Sequence, residues 1–308
     1  MHTPVLLTEC IEALKFRQNG VYIDGTLGRA GHAVELAKRL ETGRLIGIDR
    51  DAEAIQASSK RLAEYGSRVT LVQGNFRDLG NILDRLGLKQ VDGMLFDLGV
   101  SSPQLDVAER GFSYMTENAP LDMRMDAQSE LCAKQVVNQW TEEEIRRILF
   151  EYGEERYARR IANAIVRARE EAPIETTGDL VNLIKQAIPA PARREKQHPA
   201  KRSFQSIRIA VNDELGALEE MLKTAINYLA PRGRLVVICF HSLEERLVKK
   251  AIRAAEDGCI CPSDFPICTC GFTPTVRSIN KKAITATKEE IEKNPRARSA
   301  KLRIAEKI

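Results

Sequence analysis

The sequence predicts an α/β fold built on a parallel sheet, with an all-helical segment inserted into it. Three observations carry this expectation. Short β-rich runs at 21–24, 44–49, 69–74 and 91–97 alternate with helix-length segments, the pattern of successive βαβ units. Each run ends in a polar turn. The alternation stops after Gln104 and resumes near Asn212, where a helical stretch leads into the apolar run RLVVICF at 234–240.

The elements follow in order. VYID, RLIGID, VTLVQG and VDGMLFD are separated by segments of helical period such as AVELAKRL and AEAIQASSKRLAEY. Residues 104–126 carry Gly, Pro and Asn punctuation without a lasting period, so they read as a long loop of the kind that is functional or disordered. Thr141 and Glu144 form a capping box. Tyr157, Ile161, Ile165 and Ala168 make an apolar stripe at helical spacing. A further helix after Thr177 carries Leu180, Leu183, Ile184 and Ile188 and stops at Pro189. The expected division is 1–104 with 213–308 as one α/β domain and 105–212 as an inserted helical domain. The tail SAKLRIAEKI supplies a last strand.

Composition narrows the class. At 308 residues and 43% hydrophobic content, the chain can bury a sizeable core. Forty-seven basic residues nearly cancel 43 acidic ones, leaving +4, so nucleic-acid binding has to be argued from local clusters. The start lacks a basic region followed by an apolar stretch, and no later run is long enough to span a bilayer. A cytoplasmic protein without a membrane partner is expected. Seven cysteines, an odd number without an export signal, point to thiols or metal ligands over disulfides.

In an open parallel sheet, ligands bind outside the carboxyl ends of the strands. The turn DGTLGRAGH (24–32) places glycines at 25, 28 and 31 between a strand and a helix, where backbone must come close to a ligand or simply turn tightly. It is not G-x-G-x-x-G, and no G-x-x-x-x-G-K-[ST] exists anywhere. Asp49 ends the second strand, where a carboxylate accepts both ribose hydroxyls or caps the next helix. Phe76 follows the third strand and either stacks on a purine or fills the core. Asp97 ends the fourth. Adenosine without a phosphate loop favours S-adenosyl-L-methionine over NAD or ATP, because a cationic sulfonium calls for carboxylates such as Asp24 and Asp97.

These motifs resemble the S-adenosylmethionine-dependent methyltransferases that modify N4 of a cytidine in bacterial small-subunit (16S) ribosomal RNA. The resemblance covers nearly the whole chain: HTPVLLTE (2–9), DGTLGRAGH, IGIDRD, GNF, FDLGVSSPQLD (96–106), RGFSY with PLDMRMD (110–126), KRSFQSIRIAVNDEL (201–215), ICFHSLEERLVK (238–249) and NPRARSAKLR (294–303). It implies a Rossmann-like class I methyltransferase sheet with the helical insertion serving substrate recognition. It further implies that Ala30, Gly31 and His32 line the cofactor, Asp49 holds the ribose, Phe76 packs on adenine, and Asp97 and Gln104 complete the pocket. The implied partner is small-subunit ribosomal RNA or the assembled small subunit, and a homodimer is compatible with it.

An exocyclic cytosine amine is a poor nucleophile, so the enzyme must align it and accept its proton. Amino-group methyltransferases often use an Asp-Pro-Pro-aromatic turn after the fourth strand. Here the turn reads Asp97-Leu98-Gly99-Val100-Ser101-Ser102-Pro103. Asp97 is the expected acceptor, with backbone carbonyls near Ser101 and Ser102 as rivals. A base within folded RNA must also be flipped out, and the loop carrying Phe112, Tyr114, Asp122 and Arg124 either covers it or folds over the insertion's own core. Residues 193–208 hold six basic side chains and one acidic, with Phe204 among them, suiting phosphate contacts or a solvated linker. Arg296, Arg298, Lys301 and Arg303 form a second basic candidate, and His241 lies at the expected crevice edge. An RNA-binding assembly factor without catalysis and a nicotinamide oxidoreductase are the competing readings, the latter disfavoured by the absent fingerprint.

Cys259-x-Cys261 and Cys268-x-Cys270 stand six residues apart. Four thiolates at this spacing can surround one zinc ion, and a reduced cysteine-rich loop has the same sequence. No metal is expected in the active crevice itself.

Overall fold

A computed structural model describes residues 4–259, 261 and 269–308. The chain divides into two compact units, one ending at Gly99 and resuming at Leu215, the other Val100–Glu214.

The first unit is a seven-stranded sheet in the order β3-β2-β1-β4-β5-β7-β6. Its strands are β1 (Val21–Asp24), β2 (Arg44–Asp49), β3 (Val69–Gln73), β4 (Val91–Asp97), β5 (Leu229–Cys239), β6 (Val276–Ser278) and β7 (Lys301–Lys307). The first five are parallel; β7 runs antiparallel to β5 and β6. The central runs are near-continuously apolar because helices cover both faces. One face packs Leu45, Leu95, Val236 and Ile238 against the helices α1 (Leu7–Ala13) and α2 (Gly31–Ala37). The other packs Ile46, Phe96 and Val237 with Leu218, Met221, Leu222, Val248 and Ile252. Helices α3 (Ala52–Leu62) and α4 (Leu79–Arg85) complete the crossovers among the first four strands. No helix among the described residues is long and apolar enough to cross a membrane.

The second unit contains α5 (Ser102–Asp106), α6 (Ala133–Gln139), α7 (Glu142–Glu151), α8 (Ala158–Glu171), α9 (Thr177–Ala187) and α10 (Lys201–Asn212). Thr141 caps α7 in the expected box with Glu144, and Thr176 caps α9 in the same way with Asp179. Pro189 does follow the last helical turn of α9, which ends at Ala187.

The long stretch 104–126 is where structure adds most. It is an ordered strap rather than a free loop. Phe112, Leu121, Met123 and Met125 are buried in the core that α6, α7 and α8 form. Asn212, at the end of α10, holds the strap by its amide: Oδ1 accepts from the Met125 N–H at 2.8 Å, and Nδ2 donates to the Met123 carbonyl at 2.7 Å. Arg124 closes on Asp122, with Nη2 to Oδ2 at 2.6 Å, and Arg110 donates to the carbonyls of Arg124 and Met125. Replacing Asn212 by Ala strands two buried main-chain groups, and each such group left unpaired costs about 1–3 kcal/mol. Asn212→Ala is therefore expected to lower the thermal midpoint measured by circular dichroism, with faster amide exchange at 121–126; an unchanged midpoint would remove Asn212 from this role.

From Glu214 the helix α11 (Glu214–Tyr228) leads back to the sheet. The regular register of β5 on β4 runs from Arg234 opposite Gly93 to Ile238 opposite Asp97. It is followed by α12 (Ser242–Glu256) and α13 (Lys288–Lys293).

Candidate functional site

The site follows from the strand order. The chain builds outward from β1 to β3 and then returns to the other side of β1 with β4, so the order reverses between β1 and β4. That is the switch point at which open parallel sheets bind ligands. Parallel registers pair Asp24 with Gly47 and Leu95, and Asp49 with Gln73. Asp49, Asp24 and Asp97 therefore stand at the same end of three adjacent strands.

The glycine-bearing turn wraps this edge. Gly25 donates to the Leu95 carbonyl at 2.9 Å and Leu27 to the Ile48 carbonyl at 2.9 Å, extending the ladder past the ends of β1. A side chain at 25 would collide with the Phe96 ring. Gly28 has φ +49, and its N–H donates to Asp49 Oδ2 at 2.7 Å. Ala30 precedes α2 in the left-handed region, φ 58 and ψ 34. A residue with a Cβ held there stores about 1–2 kcal/mol of strain, which the sequence pattern did not reveal.

Asp49 resolves one ambiguity. The cap of α3 is Asp51, whose side chain accepts from the Glu53 N–H. Asp49 instead accepts from Gly28 and, through Oδ1, from the Asp51 N–H at 2.9 Å. Two fixed backbone donors orient its carboxylate at the strand end. Burial holds its pKa above the ordinary aspartate value despite those bonds.

Asp24 and Asp97 form the acidic centre. Asp24 is buried, with its Oδ1 accepting from the Thr26 N–H at 3.3 Å. Thr26 Oγ1 accepts from the Asp97 N–H at 2.6 Å. Asp97 Oδ1 is sealed from solvent and has no hydrogen-bond partner among the described residues. Burial raises Asp97 to about 8, aided by the charges of Asp24 and Glu244. Burial likewise raises Asp24 to about 7, with Asp49 contributing. Among the described residues no cation offsets either shift, which is the condition for carboxyls to rise so far.

Glu244 and Thr26 are the residues the sequence reading missed. Glu244 is buried, and its Oε2 accepts from the N–H groups of Phe240 (2.7 Å) and His241 (3.2 Å). His241 accepts from the Glu244 N–H at 3.4 Å, closing a reciprocal cap at the start of α12. The spacing His241-x-x-Glu244 carried this signal. The crevice-edge histidine is thus engaged as a helix cap.

Other expected residues fall as follows. His32 is buried, its Nε2 lying 3.0 Å from the Val5 carbonyl, and burial lowers its pKa to about 4. It is a neutral ring held by the backbone. Gly31 approaches Pro4 so closely that a Cβ would come within 2.5 Å of the proline Cγ. Phe76 opens a short helical turn and stands edge-on to Phe96, ring centroids 5.9 Å apart, only partly buried. Gln104 belongs to the second unit; it is buried, and its Oε1 accepts from the Ser101 N–H at 3.0 Å.

Several basic and aromatic candidates have structural duties instead. Phe204 is 3% exposed in the core of the second unit, and Phe112 shares that core. Tyr114 stacks on His198 at 4.7 Å, a contact made within the unit. Arg208 forms a bidentate pair with Glu214 at 2.8 and 2.9 Å. Of the basic side chains in 193–208, Arg193, Arg194, Lys196 and Arg202 are exposed, Arg193 donating to the Ile188 carbonyl and Arg202 to the Glu154 carbonyl. Lys301 and Arg303 are both drawn to Glu245, and Arg296 and Arg298 of the second candidate patch are exposed.

Removing the Asp49 carboxylate tests the expected ribose contact. Charged hydrogen bonds contribute about 1.5–3 kcal/mol, so Asp49→Ala is expected to weaken binding of an adenosine-bearing ligand roughly 10- to 100-fold by calorimetry. An unchanged affinity would assign Asp49 to the turn alone.

Comparison with known proteins adds the family. Residues 1–308 match the model of the MraW methylase family. The sequence is similar to proteins named ribosomal RNA small subunit methyltransferase H: 56% identical in Brevibacillus brevis, with all of this chain and 98% of that protein covered. In Heliobacterium modesticaldum and Symbiobacterium thermophilum the identity is 55%, with all of this chain and 98% and 96% of those proteins covered.

Proposed function

The chain belongs to the MraW methylase family, and from that premise we propose that it transfers the methyl group of S-adenosylmethionine to N4 of one cytidine in 16S ribosomal RNA. The observation that carries the reading is the pair of buried carboxyls astride the switch point, Asp24 and Asp97, one with an orphaned oxygen. A cationic ligand is what such a centre lacks. No phosphate-binding loop competes for the site.

The chain's residues fit this cofactor. Asp49, oriented by Gly28 and Asp51, would hold the ribose, and Phe76 would offer its free face to adenine. Ala30, Gly31 and His32 would form the wall beneath the methionine part. When bound, the cofactor supplies an electrophilic methyl on a sulfonium. Asp97, at the end of β4, would hold the cytosine amine by one proton and accept the other as the nitrogen lone pair is used. Neutral His32 contributes no positive charge to repel the sulfonium. The helical unit, with exposed Arg194 and Lys196, would recognise the RNA in the cytoplasm.

The test is incorporation of labelled methyl into small-subunit RNA by the purified protein, followed by mass mapping of the product. Methylation of a single cytidine at N4 is expected. Transfer to another base, or binding of RNA without transfer, would overturn the reading.

A further inference from the structure

The segment between α12 and β6 plays no part in the chemistry above, yet it concentrates the chain's cysteines. We propose that Cys259, Cys261 and Cys270 form a structural metal site for zinc, a thiolate clamp on the excursion between α12 and β6. The Sγ atoms of all three lie within 4.8 Å of one another. Cys259 and Cys270 are 3.7 Å apart. Tetrahedral zinc, with sulfur about 2.3 Å away, holds its sulfurs roughly 3.8 Å apart, whereas a disulfide requires about 2.05 Å.

The surroundings fit a clamp. Asp257 to Thr275 contains no helix or strand among the described residues, so backbone ladders do not hold it. Its base is closed by the Thr275 N–H donating to the Ala255 carbonyl at 2.9 Å. Gly258 lies against Phe272, where a Cβ would come within 2.7 Å of the ring, so the outgoing and returning arms meet beside the thiols. Cys261 Sγ accepts from the Thr269 N–H at 3.2 Å, the kind of backbone contact that supports a ligating thiolate. No histidine occurs between residues 242 and 308. An all-sulfur donor set selects a soft or borderline ion and disfavours magnesium or calcium. Cys268 lies outside the described residues; the sequence alone names it as the candidate fourth ligand. The role proposed for the ion is structural, because its thiolates hold together a segment with no helix or strand among its described residues.

The test uses the full chain, purified under reducing conditions from cells grown with zinc, with metal content measured by atomic emission. About one zinc per chain is expected, falling to near zero in a Cys259→Ser, Cys261→Ser, Cys270→Ser variant. S-adenosylmethionine binding by that variant reports that the sheet remains folded. Cobalt titrated into metal-free protein should give the intense visible bands of tetrahedral thiolate coordination, and the variant should lose them. Zinc absent from the wild type, zinc retained in the triple variant, or a Cys259–Cys270 disulfide in freshly reduced protein would each overturn the site. These outcomes do not depend on methyl transfer.

Discussion

Asp97→Asn is expected to lower methyl transfer to small-subunit RNA by about 10² to 10⁴, the usual contribution of a positioned proton acceptor. The amide keeps the shape of the side chain, and the Thr26 hydroxyl still receives the Asp97 N–H. What disappears is the charge on an oxygen that has no partner among the described residues. An orphaned buried acceptor costs about 1–3 kcal/mol, and a ligand that donates to it recovers that cost. Single turnovers at saturating S-adenosylmethionine separate two roles for Asp97. A slowed transfer step identifies the proton acceptor. A rate restored by saturation makes Asp97 a holder of the cation only, and the carbonyls near Ser101 and Ser102 become the acceptors.

The second large effect is on pH. Burial raises Asp24 to about 7 and Asp97 to about 8 from an ordinary 3.8. For a carboxyl raised on folding, the stabilising contribution is complete below the unfolded value and is lost as pH rises through the folded one. The unliganded protein should therefore lose stability progressively between about pH 4 and pH 8, while a cationic ligand that needs both groups ionised gains affinity between about pH 6 and pH 9. If both protons must leave, that gain approaches about a thousandfold over the window, with the two groups titrating as a pair. His32, lowered to about 4, works in the opposite direction between that value and the ordinary 6.5, where its contribution to stability rises with pH. Calorimetry in buffers of different ionisation enthalpy should record proton release on binding near neutral pH. Asp97→Asn should remove about half of it; equal release in wild type and variant would show that Asp97 is already ionised.

The strands and their polar ends were readable because burial on both faces demands continuous β-branched and aliphatic runs, and the strand ends recur at helix-length intervals. Asp49 was harder, since Asp49 and Asp51 both satisfy the rule for a helix cap, and only backbone geometry assigns the cap to Asp51. The sequence leaves Phe112 open between covering a flipped base and folding over the insertion's core, and sets Phe204 among basic residues; the burial of both depends on contacts across the insertion. The same holds for Arg208 and Arg303, whose partners Glu214 and Glu245 are visible as partners only once the helices pack. Glu244 went unnoticed for a different reason. Its pattern was local, but its nearness to Asp97 arises from the pairing of β4 with β5.

That pairing has a consequence for how the chain is made. β5 sits beside β4 in the sheet, yet their paired ends, Asp97 and Ile238, are separated in sequence by the whole helical unit. At synthesis rates of about 5–20 residues per second, the edge of β4 that β5 will occupy stays open for roughly 7 to 30 seconds. During that interval the helical unit, all of which precedes β5 in the chain, can complete its own core first. The half-built sheet is then the species most in need of protection from edge-to-edge association, so a chaperone or the ribosome itself is expected to shelter residues 91–97 until β5 emerges.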